Sequence, residues 1–241
     1  MTLTPRFVKP FRTHTATNDA DLTLALLQGS FKAVTATFVV PTPSKPSGGS
    51  GAYSASAWVG IDGDTCGTAI LQTGLDFSIS SSGAVSYDGT PRLFSLAHPL
   101  PFLTLIYIAW YEWYPDYAYD FSGITFSAGD SVTITVTATS TKAGSAVITN
   151  NTKGKTVTKS LTSTAALCEQ NAEWIVEDFE ENSSLVPFAN FGTVTFTGAK
   201  ATTSSGSTIG PSGSTIIDIK QGSTVLTSVS TSSSSVTVSY V

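Results

Sequence analysis

Apolar residues in this chain recur at every second position, in short runs cut by Gly, Pro, Asp and Asn, and no stretch keeps the spacing of an amphipathic helix. A period of two puts alternate side chains on opposite faces of a strand. Strands are expected over residues 31–40, 54–61, 69–77, 124–126, 131–138, 145–148, 156–161, 173–179, 193–196, 214–219 and 236–241. Pro41 closes the first, and the Pro-, Ser- and Gly-rich 41–52 reads as a loop. Asp62-Gly63-Asp64, Gly129-Asp130 and Lys153-Gly154 supply turns. Residues 203–213 and 227–235 are low in complexity and read as loops or edges. Short strands with frequent turns specify an all-β fold, a sandwich of two antiparallel sheets of jelly-roll or lectin-like type. The 241 residues suit one such domain over 26–241, after an irregular leader at 1–25.

Charge narrows the function. Only 12% of residues are charged, the net charge is -5 and the pI is about 4.9. No basic stripe tracks a phosphate backbone, so nucleic acid is not expected as a partner. The most apolar stretch, 93–110, is broken by Pro99 and Pro101 and contains His98, so no membrane span is expected. Few carboxylates and few ion pairs leave little for acid to disrupt, which permits an acidic working environment. Residues 2–13 hold no apolar segment of signal-peptide type. Cys66 and Cys168 are either one disulfide, the economical reading for a secreted chain, or two buried thiols. Sequons at Asn150 and Asn182 arise readily in a Ser/Thr-rich sequence and add little.

Four strand faces do not look like plain solvent faces. They carry Trp58, Gly60 and Asp62; Gln72, Gly74 and Asp76; Trp110, Glu112 and Tyr114; and Glu173, Ile175, Glu177 and Phe179. The opposite faces carry Ala57, Val59 and Ile61, or Leu71, Leu75 and Phe77, and read as core. Aromatic rings beside glycines make a groove with room for a ligand backbone; half-buried tryptophans among solvated acids are the plainer alternative. Catalysis in such a groove is restricted. His14 lies in the leader and His98 in an anomalous stretch, so a Ser-His-Asp triad has no good histidine. No Cys/His cluster suits zinc, and no Gly-rich phosphate loop is present. Carboxylate chemistry remains, and a glycosidase would use it as readily as a peptidase.

At residues 58–74 (WVGIDGDTCGTAILQTG), 109–123 (AWYEWYPDYAYDFSG) and 167–181 (LCEQNAEWIVEDFEE) the chain resembles the fungal glutamic peptidases, the eqolisins. The likeness continues through Val186-Pro187-Phe188 to residues 236–241 and covers most of 31–241. The resemblance implies a concave cleft on the sandwich and acid endopeptidase action on protein or peptide substrates, with no metal or cofactor. A secreted monomer is expected. The family's catalytic glutamine falls on Gln72 and its catalytic glutamate on Glu177. Ile175 and Phe179 flank Glu177 on its face, and the partial desolvation expected there raises a carboxyl pKa. Glu173 lies nearer the polar start of its strand. Trp58, Asp62, Gly74, Asp88, Trp110, Glu112 and Phe179 are the expected cleft residues, with Asp62 orienting the pair, Trp58, Trp110 and Phe179 as walls, and Ile175 as wall or core. A Cys66–Cys168 bridge would tie the two catalytic strands together.

Two departures from the family pattern stand out. Residues 19–28 (DADLTLALLQ) replace an early Trp-containing segment, which would remove one cleft wall. Residues 89–108 (GTPRLFSLAHPLPFLTLIYI) separate Tyr87-Asp88 from Ala109-Trp110, which the family joins directly. This stretch is either a lid or a translated intron. The codons for Gly89-Thr90 and Ile108-Ala109 can hold splice signals, which favours the intron. Lodged beside Trp110, the insertion is expected to displace a cleft wall. The rival functions are a non-catalytic carbohydrate-binding sandwich and an inactive family member.

Overall fold

The computed structural model describes residues 19–25, 30–80, 84–85, 92–93, 104–181 and 184–241, and among these it is all β. In chain order the main strands are β1 (Asp19–Ala25), β2 (Phe31–Val39), β3 (Ala52–Ile61), β4 (Ile70–Ser80), β5 (Thr104–Tyr114), β6 (Tyr119–Asp120), β7 (Ser131–Ser140), β8 (Ala143–Asn150), β9 (Lys155–Thr162), β10 (Asn171–Glu177), β11 (Thr193–Thr203), β12 (Thr215–Ile217), β13 (Thr227–Thr231) and β14 (Ser235–Tyr240). One sheet runs β12-β1-β10-β3-β4-β5-β6 and the other β9-β8-β7-β2-β11-β14-β13. The pairings between these strands are antiparallel.

The core fills the space between the sheets. Val34, Ala36 and Phe38 of β2 face Val59 and Ile61 of β3, Leu71, Leu75 and Phe77 of β4, and Trp174 and Val176 of β10. Phe38 meets the edge of Phe196 at 5.7 Å between ring centres. The alternation expected for β3 and β4 holds: the residues read as core are core. The outer face of the second sheet carries hydroxyl ladders. Thr35 meets Thr135 at 2.6 Å, Thr37 meets Thr133 at 2.7 Å and Thr149 meets Thr156 at 2.9 Å. Such cross-strand pairs hold a sheet without titrating, so acid leaves them unchanged.

Several expectations are corrected. Residues 19–25 are not leader: they form β1, paired with β10 along its whole length. Alternation of Ala20, Leu22 and Leu24 with polar neighbours supplies the reason. Residues 124–126 make no strand; Ile124 and Phe126 pack on the core from a loop. Within the Ser/Thr-rich 227–235, read as a loop or an edge, Thr227–Thr231 is the edge strand of its sheet, so that reading holds. The sequon asparagine Asn150 is fully buried and its Nδ2 donates to Thr125 and Asp130, so this site is closed in the folded chain. Asn182 lies outside the described residues.

Residues 104–108 also behave differently from expectation. They form the first half of β5 and pair with residues 80–76 of β4 in an unbroken register that continues through Trp110 and Glu112. The insertion therefore does not push the Trp110 wall aside, because its last residues are themselves a β-branched and aromatic strand. Tyr107 packs on the core and donates to the Pro41 carbonyl at 3.1 Å. Removing 89–108 would join Asp88 to Ala109. In the same register residues 84–88 then fall opposite 80–76, and Tyr87 takes the position of Tyr107. Ser81-Ser82-Gly83 is left between the strands, a sequence suited to a three-residue hairpin loop with glycine at its left-handed position. The chain lacking 89–108 is expected to give more soluble protein and a cooperative melt at or above that of the parent. A lower melting temperature would mean that the segment contributes essential contacts.

Candidate active site

Three cross-strand rows build the outer face of the first sheet. Glu177, Ser56, Asp76 and Ile108 form the first, Ile175, Trp58, Gly74 and Trp110 the second, and Glu173, Gly60, Gln72 and Glu112 the third. Gln72 and Glu177 thus share a face, separated by the intervening strand β3 and by the middle row. That row is apolar. Trp58, Trp110, Ile175 and Ala118 make a second small cluster, apart from the main core.

Trp58 spans the gap between the pair. Its indole Nε1 donates to Glu177 Oε2 at 2.9 Å, while its far edge lies over Gly60, where an added Cβ would stand 2.9 Å from Cζ3. Gly74 makes room on the other side. A Cβ there would meet Trp58 Cβ at 2.5 Å, the Ala57 carbonyl at 2.6 Å and Trp110 Cζ2 at 3.0 Å. Both tryptophans can lie along the sheet only because this position has no side chain. Trp110 is fixed in turn by a 3.1 Å hydrogen bond from Nε1 to Ser56 Oγ.

Gln72 is 6% exposed, and its Nε2 donates to Glu112 Oε2 at 2.8 Å. Glu112 is itself 2% exposed. A carboxylate only accepts, so Glu112 turns the amide with its NH2 toward β5 and leaves one of the two N–H bonds for another acceptor. Gln72 Oε1 is buried without a hydrogen-bond partner among the described residues. Glu177, the last residue of β10, is half-buried. The indole is a neutral donor, so it holds the carboxylate without cancelling its charge.

Glu173, the other candidate, is committed elsewhere. It is 1% exposed and its Oε1 accepts the Asp64 backbone N–H at 3.0 Å, closing the turn after β3. Asp62 does not sit against the pair as expected. Its Oδ2 accepts the N–H groups of Cys168 and Glu169 at 2.8 Å each, and its Oδ1 those of Gln170 at 2.8 Å and Asn171 at 3.3 Å. It braces the segment entering β10, the end opposite Glu177. Burial pushes its carboxyl up, against the four N–H groups that pull it down, and the balance lies above the usual value.

The Cys66–Cys168 disulfide closes the same corner, with Cα atoms 6.2 Å apart and a sequence separation of 102. A loop of that length stabilises by about 4–5 kcal/mol in the chain-entropy account. Asp62, Cys66 and Cys168 lie together, but the sulfurs are bonded to each other and the carboxylate is filled with N–H donors, so this group is not a metal site. Phe179 is buried just past Glu177. Asp88 lies outside the described residues. Sequence reasoning missed Ser56 and the Gln72–Glu112 partnership; both follow from period-two alternation once the strand register is known.

A model of the Peptidase A4 family matches residues 22–100 and 104–240. The chain is 50% identical over 234 residues to aspergillopepsin-2 of Aspergillus niger, covering 90% of this chain and 75% of that protein. It is 44% identical over 227 residues to scytalidopepsin B of Scytalidium lignicola, covering 90% and 76%. The crystal structure of scytalido-glutamic peptidase with a peptide-based transition-state analogue superposes with a TM-score of 0.75 at 39% identity, over 93% of this chain and 98% of that one.

Proposed function

The chain belongs to the peptidase A4 family, the glutamic endopeptidases, and from that premise we propose that Glu177 and Gln72 share the work of peptide-bond hydrolysis. The observation that carries this reading is the face itself: a half-buried carboxylate held by an indole N–H, and an amide aimed by Glu112, on either side of one apolar row. Glu177, ionised, takes a proton from a water as that water attacks the scissile carbonyl. The free N–H of Gln72 donates to the oxygen as it becomes an oxyanion. Glu177 then passes its proton to the leaving amine. An amide keeps its donor at any acidity, which suits Gln72 to acid. The work needs no metal in this scheme, and the disulfide and sparse charge suit a secreted monomer acting on proteins.

The carbohydrate-binding alternative is disfavoured by burial. Trp58 is 0% and Trp110 4% exposed, so neither ring offers an open stacking surface. Digestion of an acid-denatured protein by the purified chain, with and without excess chelator, tests the proposal. Internal cleavage unaffected by chelator is expected. No cleavage at any acid pH would leave the inactive-member reading standing, and loss of cleavage on chelation would reject the metal-free scheme.

A further inference from the structure

The residue after Glu177 is used by none of the chemistry above. Asp178 is 1% exposed. Its side chain leaves the Trp58 contact of Glu177 behind and meets the segment that carries the core residue Ile219. There its Oδ2 accepts a 2.7 Å hydrogen bond from Nε2 of Gln221, on the short hairpin of Lys220–Gln221 and Thr224–Val225. Oδ1 is buried without a hydrogen-bond partner among the described residues. Tyr240 of β14 stands near enough to feel the Asp178 charge, and its own ring packs against Phe188 and Phe191. A carboxyl is thus plugged into the sandwich at the exit of β10.

Resting on the reading of Glu177 as general base, we infer that Asp178 is a positioning residue for Glu177 only while its carboxyl is neutral, and that its ionisation frees the exit of β10 and shuts the enzyme off toward neutral pH. The geometry fits a neutral acid. Gln221 donates to Oδ2 as to a carbonyl, and Oδ1 carries the proton. An anion in the same seat would keep one oxygen buried and unsolvated, which is costly. Relief requires the side chain to reach water, and because Asp178 directly follows the last residue of β10, that movement turns its neighbour Glu177 as well.

The groups facing Asp178 agree on the direction. Burial raises its carboxyl, Gln221 lowers it, and the charge of Glu180 raises it, leaving it at about 7 against an ordinary 3.8. Tyr240, raised by burial and by Asp178, stays neutral throughout this range. The folded-state value lies above the unfolded one. The seat is therefore fully favourable below about 3.8 and is lost as pH rises through about 7.

Amide exchange, corrected for intrinsic chemical rates, reads the switch without any peptidase activity. In the parent chain the Val186 N–H, which bonds the Phe179 carbonyl at 3.0 Å, is expected to lose protection by about tenfold or more as pH rises from acid to above neutral, while β3 does not. In Asp178→Asn, which reproduces the neutral form, protection should not fall. The alkaline limb of kcat/KM should move up by about one pH unit or more in that variant. Gln221→Lys, at an exposed position, sets a cation on Oδ2 and should hold the anion in its seat, so protection should persist above neutral pH. It also serves if Asp178→Asn does not fold. A protection profile identical in parent and variants overturns the inference. So does a shifted protection profile with an unmoved alkaline limb. A parent chain that switches in exchange but cleaves nothing at any pH would instead reject the catalytic reading on which the inference rests.

Discussion

Glu177→Gln is expected to lose peptidase activity by about 10³-fold or more while the sandwich melts as before. The substitution keeps the shape, and its amide oxygen can still accept the indole N–H of Trp58. What it removes is the ability to take and return a proton. The loss should fall on kcat with little change in KM, because substrate binding does not need the proton transfer. Gln72→Ala removes the oxyanion donor and should cost about 10²–10³-fold, again in kcat. Glu173→Gln is the control, since its carboxyl closes the turn at Asp64 and a glutamine oxygen can do the same. Its loss should be much milder. Equal losses at 173 and 177 would exchange the roles of the two glutamates.

Asp62→Ala should damage stability instead of chemistry. Four backbone N–H groups, from residues 168–171, would be left in a buried corner without an acceptor. Each orphaned group costs about 1–3 kcal/mol, less than additively in one cluster. Asp62 also holds φ at 67°, a left-handed conformation that Asp tolerates better than Ala. A net loss of about 4 kcal/mol or more is expected, roughly a 10 °C fall in melting temperature for a chain of this size. Asp62→Asn keeps one acceptor oxygen and the backbone preference, so it should fall between. The disulfide stays formed in both variants. A melting temperature within about 2 °C of the parent for Asp62→Ala would show that water replaces the carboxylate at this corner.

Much of this was legible in the sequence, and the limit is one of distance along the chain. The alternation over residues 54–61 and 69–77 specifies both faces of β3 and β4, and the core residues Val59, Ile61, Leu71 and Phe77 stand where the period put them. The resemblance to the eqolisins is what assigns the catalytic role to Glu177 ahead of Glu173, and the polarity of their neighbours agrees with that assignment. Partnerships across strands were not readable. Nothing local to Gln72 indicates that Glu112 lies opposite it on β5, and the acceptor role of Asp62 depends on a segment more than a hundred residues away. The strand at 19–25 alternates correctly but borders sequence with no pattern, and its partner β10 is remote. Residues 104–108 follow two prolines in an atypical stretch, so their strand character was hidden by what precedes them.

The central claim is that Gln72 and Glu177 act on one transition state. The double variant Gln72→Ala/Glu177→Gln tests it most directly, with kcat/KM measured on one peptide in acid beside both single variants. Residues that serve a single step are strongly non-additive. The double variant should therefore lose no more than about tenfold beyond the weaker single variant, at a melting temperature equal to the parent's. Losses that multiply in full would mean that the two side chains contribute independently and do not act as a unit, and either single variant keeping more than about a tenth of parent activity would remove that residue from the catalytic pair.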